Sequence, residues 1–202
     1  MDKNYWDNIY KSKSETDVSW FQGVPKKSLE LISEVNLNPD DSIIDIGGGD
    51  SHLVDHLLDN GFKNLSVLDI SSAALKRAKE RLGEKAGQVK FIASDITKFQ
   101  PTEKYKLWHD RATFHFLTKA EDVKAYLEIA NRAIADDGYL IVSTFSKTGP
   151  EKCSGLPITQ YSDADLKLLF ETYFSNIKCF EDTHQTPWGT GQNFVYCGFK
   201  KR

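Results

Sequence analysis

The residues best suited to hold a charged ligand stand at the end of the first predicted β-strand. Residues 42–46 (SIIDI) form a short β-branched run, and Gly47, Gly48 and Gly49 follow it directly. Glycines allow the backbone to turn sharply into a helix and to approach a ligand closely. Asp45, two residues before the first glycine, adds a carboxylate to this turn. The pattern predicts a ligand-binding turn between a strand and a helix.

The turn departs from the fingerprint of dinucleotide-binding proteins, Gly-x-Gly-x-x-Gly. The third residue after Gly49 is His52, so the last glycine of that fingerprint is missing. The carboxylate of Asp45 would repel a diphosphate and attract the ammonium of a cofactor that carries an amino acid. The charge pattern therefore favours S-adenosylmethionine over a nicotinamide dinucleotide.

Two further carboxylates follow the next predicted strands. Asp69 lies 24 residues after Asp45 at a strand tip, where it can accept hydrogen bonds from both ribose hydroxyls, and Ile70 lies beside it. Asp95 follows the third strand and can accept from an adenine amino group, while Ile96 packs on the ring. The alternative for each aspartate is structural, because aspartates often cap turns and helices. Three such carboxylates at successive strand tips favour a nucleoside site.

A sheet with strands ending at one edge is needed to bring these residues together. Short apolar runs alternate with helical patterns, and the further predicted strands cover residues 65–70, 89–93, 105–110 and 139–145. The intervening helices are predicted from Ser51 to Gly61, after Ser71 or Ser72, and over residues 121–135. Strands that alternate with helices predict a parallel sheet with right-handed crossovers.

The end of the chain has a different pattern. A helix is predicted over residues 162–174, and two strand-like runs follow at 176–182 and 193–199. The loop between these runs, residues 184–192, is too short for a crossover helix, so the two strands are predicted to be antiparallel. We expect a mostly parallel sheet closed by one antiparallel hairpin.

Length and composition exclude several classes of protein. The 202 residues suit one domain, 1–202, and 40% hydrophobic and 12% aromatic residues are enough to fill its core. A formal net charge of -3 argues against nucleic acid as a partner, since binding to phosphates needs clustered Lys and Arg. No stretch approaches the roughly 18 apolar residues of a membrane span, and the first residues do not resemble a signal peptide.

The cysteines indicate a reducing compartment. Cys153, Cys179 and Cys197 are widely spaced, form no CxxC pair and are odd in number, so they do not predict a disulfide framework. We therefore expect a soluble, reduced, cytoplasmic protein.

Taken together, the motifs resemble those of class I S-adenosylmethionine-dependent methyltransferases. The resemblance spans residues 42–145 and rests on Asp45-Ile46-Gly47-Gly48-Gly49, Asp69, Asp95-Ile96 and Trp108-His109-Asp110-Arg111. It implies a three-layer, Rossmann-like α/β fold with a mostly parallel seven-stranded sheet and an antiparallel C-terminal hairpin. It also implies that Gly47, Gly49 and Ser51 contact the cofactor, although Ser51 stands where the family usually has its last glycine.

More locally, the chain is similar to the branch that contains thiopurine and thiol methyltransferases and small protein-lysine methyltransferases. Residues 1–25 carry Trp6-Asp7-x-x-Tyr10 and Trp20-Phe21, and residues 110–115 read DRATFH. In such enzymes the N-terminal aromatic segment covers the cofactor, which implies that Trp6, Tyr10 and Trp20 lie beside the sulfonium. The alternative is an N-terminal aromatic helix that merely packs on the domain.

Methyl transfer needs proximity and alignment more than a nucleophilic side chain of the enzyme. The candidate catalytic residues are Asp110, Arg111 and His115, close to the end of the fourth strand. An ordinary ion pair of Asp110 with Arg111 and a structurally buried His115 are the alternatives. His52 and His56 lie four apart without a third ligand, so no metal is expected.

Residues 146–202 are assigned to the acceptor side of the pocket. The acceptor is predicted to be a small-molecule nucleophile, with a thiol among the candidates. A protein lysine is the alternative, and a non-catalytic cofactor-binding partner subunit is a second one. The sequence does not predict an oligomeric state.

Overall fold

Residues 2–202 are described in a computed structural model. Within them lie six α-helices: α1 (Lys3–Ser12), α2 (Lys26–Glu34), α3 (Leu53–Asp59), α4 (Ser72–Leu82), α5 (Ala120–Ala133) and α6 (Asp163–Phe170). The same residues form nine strands: β1 (Ser42–Ile46), β2 (Asn64–Asp69), β3 (Val89–Ala93), β4 (Tyr105–Arg111), β5 (Ile134–Phe145), β6 (Lys152–Cys153), β7 (Leu156–Pro157), β8 (Phe174–Gln185) and β9 (Gly191–Lys201).

Seven strands pair in the order β3-β2-β1-β4-β5-β9-β8. The first five of these are parallel, whereas β9 is antiparallel to both β5 and β8. The predicted mostly parallel sheet with an antiparallel C-terminal hairpin is confirmed. The strand order reverses beside β1, which pairs with β2 on one side and with β4 on the other, and ligands bind at such a switch point.

Helices cover both faces of the sheet, because successive strand residues point to opposite sides. Leu107 packs in a cluster with side chains of α2, α3 and α4, whereas its neighbour Trp108 packs in a cluster with side chains of α5 and α6. Both residues are fully buried. The result is the expected three-layer α/β arrangement.

The predicted helix over residues 162–174 is too long. Ser162 caps α6 through its hydroxyl, but the helix ends at Phe170, and β8 begins at Phe174. Phe170 and Phe174 are both buried in the same core cluster, and Phe174 pairs with Lys201 of β9. Apolar residues four apart predict a helix equally well, so only the pairing with β9 decides between the two structures.

The prediction that all cysteines are reduced is wrong for two of them. Cys179 of β8 and Cys197 of β9 are direct partners in the hairpin register and form a disulfide. Cys153 is free and buried. The two cysteines are separated by 18 positions in the sequence, which conceals the bond because it depends on the hairpin register.

None of the helices within residues 2–202 has both the length and the apolar character that a membrane-spanning segment requires.

Candidate cofactor and acceptor site

A pocket opens at the carboxyl ends of β1, β2 and β4. Ten residues expected at the site border it: Trp6, Tyr10, Trp20, Asp45, Gly47, Ser51, Asp69, Ile70, Ile96 and Arg111. Four others, Gly49, Asp95, Asp110 and His115, are not among its lining residues. The structure therefore brings most of the predicted residues to one cavity.

The glycine turn is too crowded for a side chain. Gly47 has φ of 64°, and a Cβ atom there would lie 1.7 Å from Oγ1 of Thr113. The Thr113 hydroxyl donates to the Ile46 carbonyl at 3.2 Å, so it cannot easily withdraw. A Cβ on Gly49, which has φ of 49°, would come within 3.0 Å of both the Asp69 carboxylate and the Tyr10 hydroxyl. Glycine is required here by φ and by close packing.

Two arginines of α4 hold the outer part of this turn. Arg77 forms an ion pair with Asp50 at 2.9 Å. Arg81 donates to the carbonyls of Asp50 at 2.6 Å and Ser51 at 2.8 Å. These two basic residues of α4 therefore order the backbone next to the pocket.

Asp45 is oriented by a buried chain of polar groups. Its carboxylate lies 2.7 Å from Nδ1 of His109, and Nε2 of His109 lies 2.8 Å from the Ser28 hydroxyl. All three residues line the pocket and are at most 5% exposed. The arrangement leaves carboxylate lone pairs of Asp45 available to an ammonium group.

Asp69 is a carboxylate that needs a polar ligand. Its Oδ1 accepts from the backbone N–H of Ser71 at 2.7 Å. Burial, reinforced by the neighbouring carboxylates of Asp50 and Asp45, raises the pKa of Asp69 to about 7. Hydroxyl groups of a ribose that donate to this carboxylate would stabilise its charged form.

Asp95 caps the short turn that follows β3, which is the structural alternative to a role in binding adenine. Its Oδ1 accepts from the backbone N–H of Thr97 at 3.0 Å and from the Thr97 hydroxyl at 2.8 Å. Its neighbours Ser94 and Ile96 do border the pocket. This segment therefore lies at the pocket as predicted, but the residues that border the pocket are Ser94 and Ile96 and not Asp95.

The N-terminal segment is docked over the pocket. The Asp7 carboxylate accepts from the Ser71 hydroxyl at 2.7 Å and from the backbone N–H of Ala73 at 3.1 Å, so it joins α1 to the start of α4. The ring of Trp6 lies 5.1 Å from that of Phe116 and 5.9 Å from that of Trp20. The aromatic groups thus form one wall of the cavity.

Asp110 is occupied by structural hydrogen bonds. It is fully buried, and its Oδ1 accepts from the backbone N–H groups of Thr113 at 3.0 Å and Phe114 at 3.1 Å. Its Oδ2 accepts from the Tyr126 hydroxyl at 2.8 Å. Burial raises the pKa of Asp110 to about 6. This geometry supports the ordering of the turn after β4 and gives no support to contact between Asp110 and an acceptor.

His115 is also removed from the pocket. Its side chain is fully buried, and its Nδ1 accepts from the backbone N–H of Phe145 at 3.4 Å. Burial, and then the charge of Arg111, lower the pKa of His115 to about 3. The imidazole is therefore neutral near pH 7, and its position favours the structural alternative over catalysis.

Arg111 borders the pocket, in contrast to Asp110 and His115. It forms no ion pair with Asp110, because the two side chains point to opposite faces of β4. Its Nη1 donates to the Trp20 carbonyl at 3.0 Å, and its guanidinium carbon lies 4.9 Å from the centroid of the Phe194 ring. Arg111 thus connects the N-terminal segment to β9.

Burial also shifts the pKa values of two groups near Arg111, Cys153 and His184. Burial raises the pKa of the Cys153 thiol to about 12, so the thiol stays protonated. Burial, and then the charge of Arg111, lower the pKa of His184 to about 4. Within residues 2–202, no cluster of three or more side chains is arranged to bind a metal ion.

The pocket wall also contains four residues that the sequence motifs do not predict there: Ser28, His109, Thr113 and Phe116. A signal existed for His109, because parallel pairing of β1 with β4 places it directly beside Asp45. No comparable signal existed for Ser28, since the docking of α2 on the sheet is a tertiary property.

Comparisons with known proteins agree with this geometry. A family model described as "Methyltransferase domain" matches residues 37–185. The chain is 26% identical over 140 residues to the eEF1A lysine and N-terminal methyltransferase of Mus musculus, a match that covers 68% of this chain and 20% of that protein. It is 30% identical over 135 residues to the malonyl-[acyl-carrier protein] O-methyltransferase of Anoxybacillus flavithermus, covering 66% and 50%. The matches thus span between a fifth and a half of these relatives.

Solved structures share the fold at low identity. The N-methyltransferase NodS of Bradyrhizobium japonicum, in complex with S-adenosyl-L-homocysteine, superposes with a TM-score of 0.76 at 15% identity and with 99% of each chain covered. A protein from a study of the conversion of a disulfide bond into a thioacetal group in echinomycin biosynthesis gives a TM-score of 0.81 at 16% identity, covering 99% of this chain and 93% of that one. Because the family model covers well over half of the residues, the chain belongs to the methyltransferase domain family.

Proposed function

We propose that this pocket binds S-adenosylmethionine and that the protein transfers the methyl group to a small-molecule nucleophile. The observation that supports the binding most strongly is the pair of buried carboxylates, Asp45 and Asp69, on either side of a glycine turn that has no room for a side chain. Asp45 would receive the ammonium group and Asp69 the ribose hydroxyls.

The remaining pocket residues fit the other parts of the cofactor. Ile70 and Ile96 offer apolar surface for an adenine ring, and the backbone at Gly47 and Ser51 borders the space between the two carboxylates. Trp6, Tyr10 and Trp20 form the aromatic wall, where ring faces attract a positive charge. We propose that Gly49 and Asp95 contribute by shaping the backbone at the rim.

The chemistry follows from how the chain orients and encloses the reactants. When bound, the cofactor supplies a methyl group on a sulfonium, which is an excellent leaving group for an in-line displacement. The chain's own contribution is alignment and the exclusion of water. Asp110 would act as a positioning residue through the turn that holds Thr113, and Arg111 is left as the predicted catalytic residue that can touch an acceptor.

The closure of the pocket favours a small acceptor. The Tyr5 hydroxyl of α1 donates to the Ser154 carbonyl in the turn between β6 and β7, so the N-terminal segment and this hairpin meet over the cavity. A protein lysine is the alternative, and the similarity to an eEF1A lysine and N-terminal methyltransferase favours it. A lysine side chain would have to enter between these segments.

Two measurements test the proposal. Titration calorimetry with S-adenosylhomocysteine should give micromolar or tighter binding to the wild type and strongly reduced binding to Asp69→Ala. Methyl-labelled cofactor and cell lysate should then place label in the small-molecule fraction. Label on a protein band would favour the lysine reading, and no transfer despite cofactor binding would favour a non-catalytic partner subunit. Unchanged affinity of Asp69→Ala would refute the site assignment.

A further inference from the structure

Arg111 is partly buried, and no acidic side chain of residues 2–202 forms an ion pair with its guanidinium. In this described part of the chain, the Nε and Nη2 atoms of Arg111 are buried and have no hydrogen-bond partner. The guanidinium contacts the neutral Trp20 carbonyl and the Phe194 ring, and neither carries a full negative charge. Burying a charged donor without a partner is costly, so this arrangement calls for an anionic ligand.

The geometry of the unpaired atoms indicates which anion fits. Nε and Nη2 lie on the same edge of the planar guanidinium, and their two N–H groups are parallel. This edge matches the two oxygens of a carboxylate in a bidentate pair. Since Nη1 is already held by the Trp20 carbonyl, the edge is fixed in orientation before a ligand arrives.

The position of Arg111 separates it from the cofactor's expected place. Asp45 and Asp69 lie on β1 and β2, whereas the ring beside Arg111, Phe194, lies on β9, two strands beyond β4 in the opposite direction. The nearby groups whose pKa it influences are His115, Cys153 and His184, and none of them is a carboxylate. The unpaired edge is therefore on the acceptor side.

We infer that Arg111 determines acceptor specificity by binding a carboxylate group of the methyl acceptor. The inference rests on the proposed function and narrows it to small nucleophiles that carry an acidic group. A carboxylate has a second source, the methionine part of the cofactor, and the experiment must distinguish the two.

The test compares an acid with its amide, in the complex with S-adenosylhomocysteine so that no transfer occurs. 4-Mercaptobenzoate and 4-mercaptobenzamide have nearly the same size and are titrated calorimetrically into wild type, Arg111→Met and Lys152→Met. We expect the wild type to bind the acid at least about tenfold more tightly than the amide. Arg111→Met should lose this preference. Lys152→Met, which removes an exposed charge next to Cys153, should keep it.

The cofactor arm uses S-adenosylhomocysteine and its decarboxylated analogue with the same variants. Arg111→Met should keep the wild type's ratio of affinities for these two ligands, and its binding of S-adenosylhomocysteine also shows that it is folded. If the wild type prefers S-adenosylhomocysteine to its decarboxylated analogue and Arg111→Met loses this preference, the guanidinium binds the cofactor carboxylate. That result would overturn the inference. Absent or equal binding of the acid and amide would overturn it as well. If the wild type binds no S-adenosylhomocysteine, the proposed function itself fails.

Discussion

The carboxylate of Asp45 lies 2.7 Å from Nδ1 of His109, and this contact joins the carboxyl ends of β1 and β4 below the pocket. With a proton on Nδ1, the imidazole donates to the Asp45 carboxylate, and its Nε2 lies 2.8 Å from the Ser28 hydroxyl. The glycine-turn motif predicts Asp45 itself, whereas the contacts with His109 and Ser28 fix the orientation of its carboxylate.

The first prediction concerns this orientation. His109→Leu should weaken the binding of S-adenosylhomocysteine by about tenfold, because a buried Asp45 without its donor loses both its orientation and a charge-assisted hydrogen bond. Ser28→Ala, which leaves the His109–Asp45 contact in place, should have a smaller effect. Calorimetric titration of the three proteins checks the order. Equal affinities for His109→Leu and wild type would exclude an orienting role.

The second prediction is a pH dependence of cofactor binding set by Asp69. Its pKa of about 7 means that the carboxylate is largely protonated at pH 6 in the free protein, whereas ribose hydroxyls prefer the ionised form. The affinity for S-adenosylhomocysteine should therefore fall by about tenfold between pH 7.5 and pH 6. Asp69→Asn should bind weakly at both pH values, and a persistent slope in this variant would assign the dependence to another group, such as Asp50.

The third prediction is that a rise in pH, which strengthens cofactor binding through Asp69, lowers the stability of the unliganded protein through the same carboxylate. Its folded-state pKa lies above the ordinary value of 3.8, so the free energy of unfolding falls as the pH rises from about 4 to about 7. Asp69→Asn should therefore raise Tm of the unliganded protein more at pH 8 than at pH 5, although it binds S-adenosylhomocysteine only weakly. A variant with a lower Tm at pH 8 would show that the charge of Asp69 is not a burden to the unliganded fold.

The fold was predictable because its signals are local and repeated. The β-branched run before Gly47, the alternation of strands and helices, and the short loop at 184–192 specify the sheet and its closing hairpin. The pattern does not show where α6 ends, because the apolar spacing up to Phe174 suits a continued helix as well as the start of a strand. It also does not show which cysteines meet across the hairpin.

The residues of the candidate site were predictable at positions that very few residue types can occupy. Gly47 and Asp69 belong to this class, since few other residues satisfy the backbone and the charge that these positions need. Asp110 and His115 show the limit. A carboxylate and an imidazole near a strand end suggest catalysis, but both side chains turn into the core. The direction of Asp110 depends on the register of β4, and that of His115 on the turn that follows β4.

The fourth prediction concerns the hydrogen bonds of Asp110. Asp110→Ala leaves the Tyr126 hydroxyl and two backbone N–H groups buried without an acceptor, and we expect a loss of about 2–4 kcal/mol in the free energy of unfolding. Tyr126→Phe removes one bond to Asp110 and also the acceptor of the Trp108 indole N–H, and should cost about 1–3 kcal/mol. Urea unfolding of both variants measures these values. A stable Asp110→Ala protein with normal cofactor affinity and no transfer would instead restore a catalytic role for Asp110.

The last prediction concerns the disulfide between Cys179 and Cys197. It closes a loop of 18 residues in sequence, so its removal should lower the free energy of unfolding by about 3 kcal/mol in the chain-entropy view. Reductant should lower Tm of the wild type and leave the Cys179→Ser, Cys197→Ser double variant unchanged. Affinity for S-adenosylhomocysteine should stay the same in every case, because β8 is the edge strand farthest from β1 and β2. A loss of affinity on reduction would instead mean that the hairpin helps to shape the pocket, through Phe194 and its contact with Arg111.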